Sequence, residues 1–359
     1  MRPNTSPPNE FATRCPQFCR VTRTTLLLID DLSVRNILTH NVNTLQLRGF
    51  WFLRIWYIKQ MHLYYTDQFE IPLPEGHRFP MAKFRLLRQR VEQFVGIAAH
   101  SFHQSPLSPI EDIERAHSPG YISKVVQGTL TSAEQRRIGF PWSSAVVERA
   151  RRACGGTTVA LAAALDSGGA VHLAGGTHHA CRLHGEGYCV FNDVAVAAYQ
   201  GHANGLIRRA LVVDLDVHQG NGTAEIMAHE EWCYTFSMHA AKNYPFRKVA
   251  SDCDIDLADA TADDEYLETL APALYHISAV ARPDVVFYTS GADAHVNDSI
   301  GRLALSKEGL AARDRMVIDL CRKNGIPYVV TMAGGYGRDI NDTIDIHAAT
   351  VSEALQASI

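Results

Sequence analysis

The sequence predicts an α/β protein: a mostly parallel β-sheet with helices on both faces. Three observations predict it. Short apolar runs alternate with helical patterns from residue 61 onward, as in successive βαβ units. Each apolar run ends in a polar or glycine-rich turn, and in open α/β sheets ligands bind at that edge. Hydrophobic residues make up 46% and charged residues 20% of 359 residues, enough for one large domain or two modest ones with a sizeable core.

In chain order, residues 1–60 stand apart. The opening "MRPNTSPPNEFATRCPQFCRVTRTT" is rich in Pro, Thr and Arg and poor in acids. It fits a disordered leader, an organellar transit peptide, or upstream sequence ahead of a start at Met61. Residues 61–359 are expected to be the catalytic domain. Five strands are predicted: 170–176, 209–218, 233–239, 283–295 and 326–337. Each is a short β-branched or aromatic run bounded by turn residues. Residues 146–165, 264–281 and 306–324 carry helical patterns. The turns following the strands read "GGTHHA", "DVHQGNGT", "SMHAAKNYP", "GADAH" and "AGGYGRD".

Composition excludes several classes. The formal net charge of −4 carries no nucleic-acid footprint. Residues 1–60 hold eight Lys/Arg and three Asp/Glu, net +5, which leaves −9 for the rest. The most apolar run, "FWFLRIWYI" (50–58), is broken by Arg54 and is far short of the roughly 20 residues a membrane span needs. Eight cysteines form no CxxC pair. A chain this large needs no disulfide framework, which points to a reducing compartment: cytoplasmic, with nuclear or organellar placement open.

"VVDLDVHQGN" (212–221) carries the chemistry. Asp214, Asp216 and His218 alternate within an apolar run, and on a strand they share one face. Buried carboxylates need compensation. Asp293, in "SGADAH" (290–295), ends another apolar strand. Two carboxylates and an imidazole suit zinc with an open position for water, and Fe(II), Co(II) or Mn(II) also accept such ligands. Singly, each Asp has a plain reading as a helix cap and the His as a loop residue. Grouped at two strand ends, a metal centre is the stronger reading.

His178 and His179 stand side by side in "GGTHHA" and offer a general base and a charged stabiliser. Asp214 and Asn221 are the plausible partners that would fix their tautomers. Tyr336, in "AGGYG", can aim its phenol at an oxyanion or be a surface residue of a glycine turn. Tyr188, in "GEGYCVFND" (185–193), is either a channel wall or ordinary core. Cys189 has apolar neighbours and reads as an inert thiol.

Taken in order, GGTHHA…GEGYCVFND…VVDLDVHQGNGTA…SMHAAKNYPFR…SGADAH…AGGYG resembles the zinc-dependent histone deacetylase family. "GHRFPMAKFRLL" (76–87) and "IGFPWSSAVVERARRACGGT" (138–157) look most like its class IV branch and bacterial relatives. The resemblance covers roughly 62–350. It implies a single arginase–deacetylase domain with the active site at the strand C-terminal ends. It implies Zn²⁺ on Asp216, His218 and Asp293, and His179 as general base with His178 as its neighbour. Asp214 would pair with His178, and Tyr336 would stabilise the oxyanion. Asn221 stands where class I enzymes have an aspartate, and Ala333 replaces the first of three glycines. A structural K⁺ would take Asp214, Asp216, His218, Ser237 and Met238, while Gly187, Tyr188 and Tyr244 would line the acyl-lysine channel. The implied reaction is hydrolysis of acyl-lysine in proteins or peptides, most like acetyl-lysine. Small acetylated amines such as polyamines, long acyl chains, an arginase-like hydrolysis and a non-catalytic scaffold are the alternatives. No nucleic-acid or membrane partner is expected.

Overall fold

The computed structural model describes residues 61–95 and 102–356; the expected leader, 1–60, lies outside them. The strands are β1 (His62–Tyr65), β2 (Phe102–Gln104), β3 (Gly169–His172), β4 (Ala210–Asp214), β5 (Cys233–Ala240), β6 (Cys253–Leu257), β7 (Val285–Ser290) and β8 (Tyr328–Met332). The first five helices are α1 (Lys83–Val95), α2 (Ile110–Ala116), α3 (Pro119–Gln127), α4 (Ser132–Ile138) and α5 (Ser144–Ser167). The others are α6 (Asp193–Ala203), α7 (Asn221–Met227), α8 (Asp263–Ala281), α9 (Lys307–Lys323) and α10 (Ile340–Gln356). None is long and apolar enough to cross a membrane.

The strands form one eight-stranded sheet, ordered β2-β1-β3-β8-β7-β4-β5-β6, and every pairing is parallel. Central strands β3, β4, β7 and β8 are buried along their whole length, because helices cover both faces. Helix α5 packs on β1, β3 and β8 beside α6, while α8 packs on β4, β5 and α9, and α10 on α1, α9 and β3.

Helix α5 is held at both ends. The Ser143 side chain accepts from Val146 N, and Gly168 closes the helix in the left-handed conformation. Its interior Gly155–Gly156 pair is costly for a helix, about 1 kcal/mol per glycine. A Cβ at Gly155 would fall 2.1 Å from Pro106 O, and one at Gly156 2.5 Å from His172 Nε2. The glycines let the helix press against the sheet.

Three strands go beyond the five predicted. β1 and β2 are four and three residues long, too short for a period to show. β6, "CDIDL", is a charged edge strand. The Val/Ala-rich α6 was also unmarked, because an element apolar all round carries no helical stripe.

One expectation needs correction. Strand β4 ends at Asp214, so Asp216 and His218 lie in the loop beyond it. Asp214 Oδ1 accepts from Asp216 N at 3.1 Å, and Asp216 Oδ1 from His218 N at 2.9 Å. These carboxylates take up the Asp216 and His218 amides, while Leu215 N still donates to Thr289 O and Val217 O accepts from Ala240 N.

The site follows from topology. β4 and β7 are adjacent, yet β4 leads on to β5 on one side and β7 to β8 on the other. The crevice between such strands is the usual ligand position in a parallel sheet, and Asp216 and Asp293 follow these two strands.

Candidate functional site

Asp216, His218 and Asp293 are all buried, and their ligand atoms lie within 4.8 Å of one another. His218 Nδ1 is 2.9 Å from Asp216 Oδ1 and 3.2 Å from Asp293 Oδ2. The other oxygens are anchored: Gly334 N donates to Asp216 Oδ2 at 2.7 Å, and Val217 N to Asp293 Oδ1 at 3.0 Å. A Cβ at Gly334 would fall 1.8 Å from Asp293 Oδ2, so only glycine allows that approach.

The donor set fits a divalent cation. Asp293 Oδ2 is buried without a well-formed hydrogen bond. Burial, then the Asp216 carboxylate, pushes Asp293 up to about 6. Burial disfavours charge on His218, but Asp216 and Asp293 outweigh it and raise the imidazole to about 10. The two carboxylates thus favour a positive charge between them, the environment that Asp/His ligation of zinc satisfies.

The two histidines have different partners. His178 Nδ1 donates to Asp214 Oδ2 at 2.6 Å. Burial opposes its charge, yet Asp214 and Asp216 raise it to about 9. His179 Nδ1 is 2.7 Å from Asn221 Oδ1. Burial, then His178 and His218, hold it well below the usual imidazole range. One ring is thus favoured in its charged form and its neighbour, with centroids 4.1 Å apart, in its neutral form.

Tyr336, Tyr188, Tyr244 and Gly187 line the same cavity of about 350 Å³ as the histidines and the ligand triad. Burial, then Asp293, raises the Tyr336 phenol well above its usual value, so it stays a proton donor. Its backbone is fixed by Asp298, which accepts from Tyr336 N at 2.7 Å. Tyr188 packs on Phe79 and Phe140 with ring centroids at 5.3 and 5.4 Å. A Cβ at Gly187 would meet His179 Cδ2 at 2.5 Å. Tyr244 sets its ring edgewise on His179 at 5.0 Å. Ser237 is in register with Asp214, and Met238 follows it on β5. Burial raises Cys189, which remains a thiol.

Several residues carry the site without having been singled out. Lys83 is buried and donates to Ala333 O at 3.0 Å, 5.5 Å from the Tyr336 ring centroid. Burial lowers it to about 8, against the pull of Asp293 and Asp216. Arg313 donates to Leu215 O at 3.2 Å and Gly291 O at 2.7 Å, holding the loops that carry Asp216 and Asp293.

Asp193, the last residue of "GEGYCVFND", holds the histidine loop. It accepts from Thr177 N at 2.7 Å, Thr177 Oγ1 at 2.6 Å, Gly176 N at 3.2 Å and Thr157 Oγ1 at 2.5 Å. A carboxylate at the end of an apolar run was the available signal. Asp193→Ala strands these buried donors, at about 1–3 kcal/mol for each that finds no water. The expected result is a stability loss of about 3 kcal/mol or more in urea unfolding; an unchanged midpoint would exclude the anchoring role.

Cys181, His184 and Glu186 also have donors within 4.8 Å of one another. Glu186 is already engaged by Asn221, His184 and Tyr244. Burial, then Glu225 and Glu186, pushes the Cys181 thiol up to about 12. Internal hydrogen bonds satisfy this group.

Residues 77–351 match the family model "Histone deacetylase domain". An uncharacterized protein of Picosynechococcus sp. is 43% identical over 284 residues, 79% of this chain and 95% of that one. Histone deacetylase 2 of Arabidopsis thaliana is 27% identical over 308 residues, 80% of this chain and 79% of its own. Among solved structures, the HDA15 HD domain superposes with a TM-score of 0.72 at 20% identity, over 83% of this chain and 89% of that one. An HDAC homolog complexed with SAHA gives 0.70 at 21% identity, over 84% of each.

Proposed function

Because the chain belongs to the histone deacetylase family, we propose that it hydrolyses the ε-amide of acylated lysine in proteins or peptides, acetyl-lysine foremost. The observation that carries the reading is the meeting of the Asp216–His218–Asp293 triad, the His179 imidazole and the Tyr336 phenol in one cavity, the imidazole shifted down and the phenol up by burial. The segments at 76–87 and 138–157 support a class IV-like position, and Asn221 and Ala333, where the class I pattern has aspartate and glycine, set the chain apart from class I.

Asp216, His218 and Asp293 would hold the cation. Zinc suits the donors best, and Fe(II) or Co(II) is compatible. When bound it supplies polarisation of the scissile carbonyl and a more acidic water. His179 takes the proton of the attacking water through Nε2 as the C–O bond forms. It returns that proton to the lysine nitrogen as the C–N bond breaks, leaving a free amine and a carboxylic acid. Tyr336 donates to the carbonyl oxygen as it becomes anionic, worth about 3 kcal/mol. His178, charged against Asp214, adds positive potential beside it. Tyr188, Tyr244 and Gly187 form walls for a neutral stem, and desolvation penalises a free ammonium. The pairing of Ser237 with Asp214 supports the assignment of K⁺ to Asp214, Asp216, His218, Ser237 and Met238.

Exposed Arg136 and Arg137 border the cavity and disfavour a polyamine, which carries several positive charges. An arginase-like pair of metals would share ligands, and among the described residues the triad shares none with the other cluster. The complete catalytic set disfavours a scaffold role.

The test is turnover of lysine peptides acylated from acetyl to myristoyl, with acetylspermidine in parallel. Metal-loaded protein should release the acyl group from at least the acetyl peptide and lose this with chelator. Release from no peptide, or faster turnover of acetylspermidine, would overturn the reading.

A further inference from the structure

His179 has a neutral partner, and an amide partner is ambiguous. Asn221 can turn either its oxygen or its NH₂ toward the ring. With oxygen facing the ring, Nδ1 must carry the proton and Nε2 is free to act as base. With NH₂ facing it, Nδ1 must accept, the proton moves to Nε2, and the base is lost. A third residue removes the ambiguity. Asn221 Nδ2 donates to Glu186 Oε1 at 2.7 Å. A carboxylate only accepts, so the NH₂ must face Glu186 and the oxygen must face His179. We infer that Glu186 is the positioning residue that sets the tautomer of His179 by orienting the Asn221 amide.

Glu186 is itself held for the task. His184 Nε2 is 3.5 Å from Oε2, and Tyr244 hydrogen-bonds the same carboxylate. Burial disfavours its charge, but the bonds from His184, Asn221 and Tyr244 outweigh this and keep it ionised. The neighbouring Gly187 packs on the His179 ring, so the carboxylate and the imidazole it governs are tied to one backbone segment. The inference rests on the reading of His179 as the base, and it goes beyond that reading by adding a residue that touches neither substrate nor cation.

The test uses metal-loaded protein with ¹⁵N-labelled histidine, read by NMR for tautomer and by steady-state kinetics. Wild type should show His179 as the Nδ1–H form. Glu186→Ala should populate the Nε2–H form and lower kcat by about 10–100-fold with KM little changed. The swap Glu186→Gln/Asn221→Asp should restore both, because the relocated carboxylate accepts from His179 through either oxygen and also accepts from the glutamine amide. Asn221→Asp alone, with two carboxylates in contact, should be slower than the swap; this pair decides the matter if Glu186→Ala does not fold. Tyr244→Phe should keep the Nδ1–H form, which separates tautomer control from packing of the channel wall. A wild-type tautomer and kcat in Glu186→Ala, or a swap no better than Asn221→Asp, would overturn the inference. A wild type that shows Nδ1–H yet cleaves no acyl-lysine peptide would sink the catalytic reading and leave the tautomer assignment standing.

Discussion

His179→Ala is expected to lower kcat on an acetyl-lysine peptide by about 10²–10⁴-fold, the span usual for losing a positioned acid–base group. KM should change little, because in the proposed mechanism the ring meets the reacting water and not the acyl chain. His179 stays neutral in its buried setting beside His178 and His218, so it can receive a proton throughout the neutral range. The neighbouring ring is a poor substitute: His178 is favoured in its charged form by Asp214, and a charged imidazole cannot accept. His178→Ala removes positive potential, not the proton carrier, and should cost less than His179→Ala. The ordering of the two kcat values on one peptide checks the assignment. Equal losses, or full turnover by His179→Ala, would count against it.

Asp216, His218, Asp293 and the histidine pair stand out in the sequence because such side chains are unusual for their position. Asp216, His218 and Asp293 follow apolar runs, where an uncompensated charge is expensive, and so each announces itself. The supporting residues do not. Arg313 and Asp314 lie in a helix rich in surface charge, "KEGLAARDRMVIDLCRK", and read as two more solvated side chains. Both are in fact buried, and the bond from Arg313 to Leu215 O joins residues 98 apart in sequence. Lys83 reaches Ala333 over 250 residues. Nothing in the local sequence marks Glu186, and only the fold shows its bond to Asn221 over 35 residues. Sheet order explains the difference. Local patterning marks what each strand end offers, while topology decides that β4 and β7 are neighbours. The strand end itself was misplaced, since the alternation of 214, 216 and 218 continues past the last ladder residue.

Arg313→Ala is expected to destabilise the domain by about 3–5 kcal/mol, the cost of leaving one partner of a buried ion pair. Arg313 and Asp314 are fully buried, with Nη2 2.8 Å from Oδ1. Asp314 also accepts from Thr350 Oγ1 at 2.6 Å and from the Tyr288 hydroxyl, so its charge has no route to solvent when the guanidinium is removed. A double change, Arg313→Met with Asp314→Leu, removes both charges and should regain part of the stability, because apolar pairs replace buried ion pairs at little cost. Recovery should stop short of wild type, since Leu215 O and Gly291 O lose their donors. Those carbonyls precede Asp216 and Asp293, the proposed ligands, in their loops. The double variant should therefore bind zinc more weakly than wild type by about 10-fold or more, as when partners that orient ligands are lost. Urea unfolding and calorimetric zinc titration separate the two contributions. If the double variant regains stability and also binds zinc as wild type does, the arginine holds the core and not the loops.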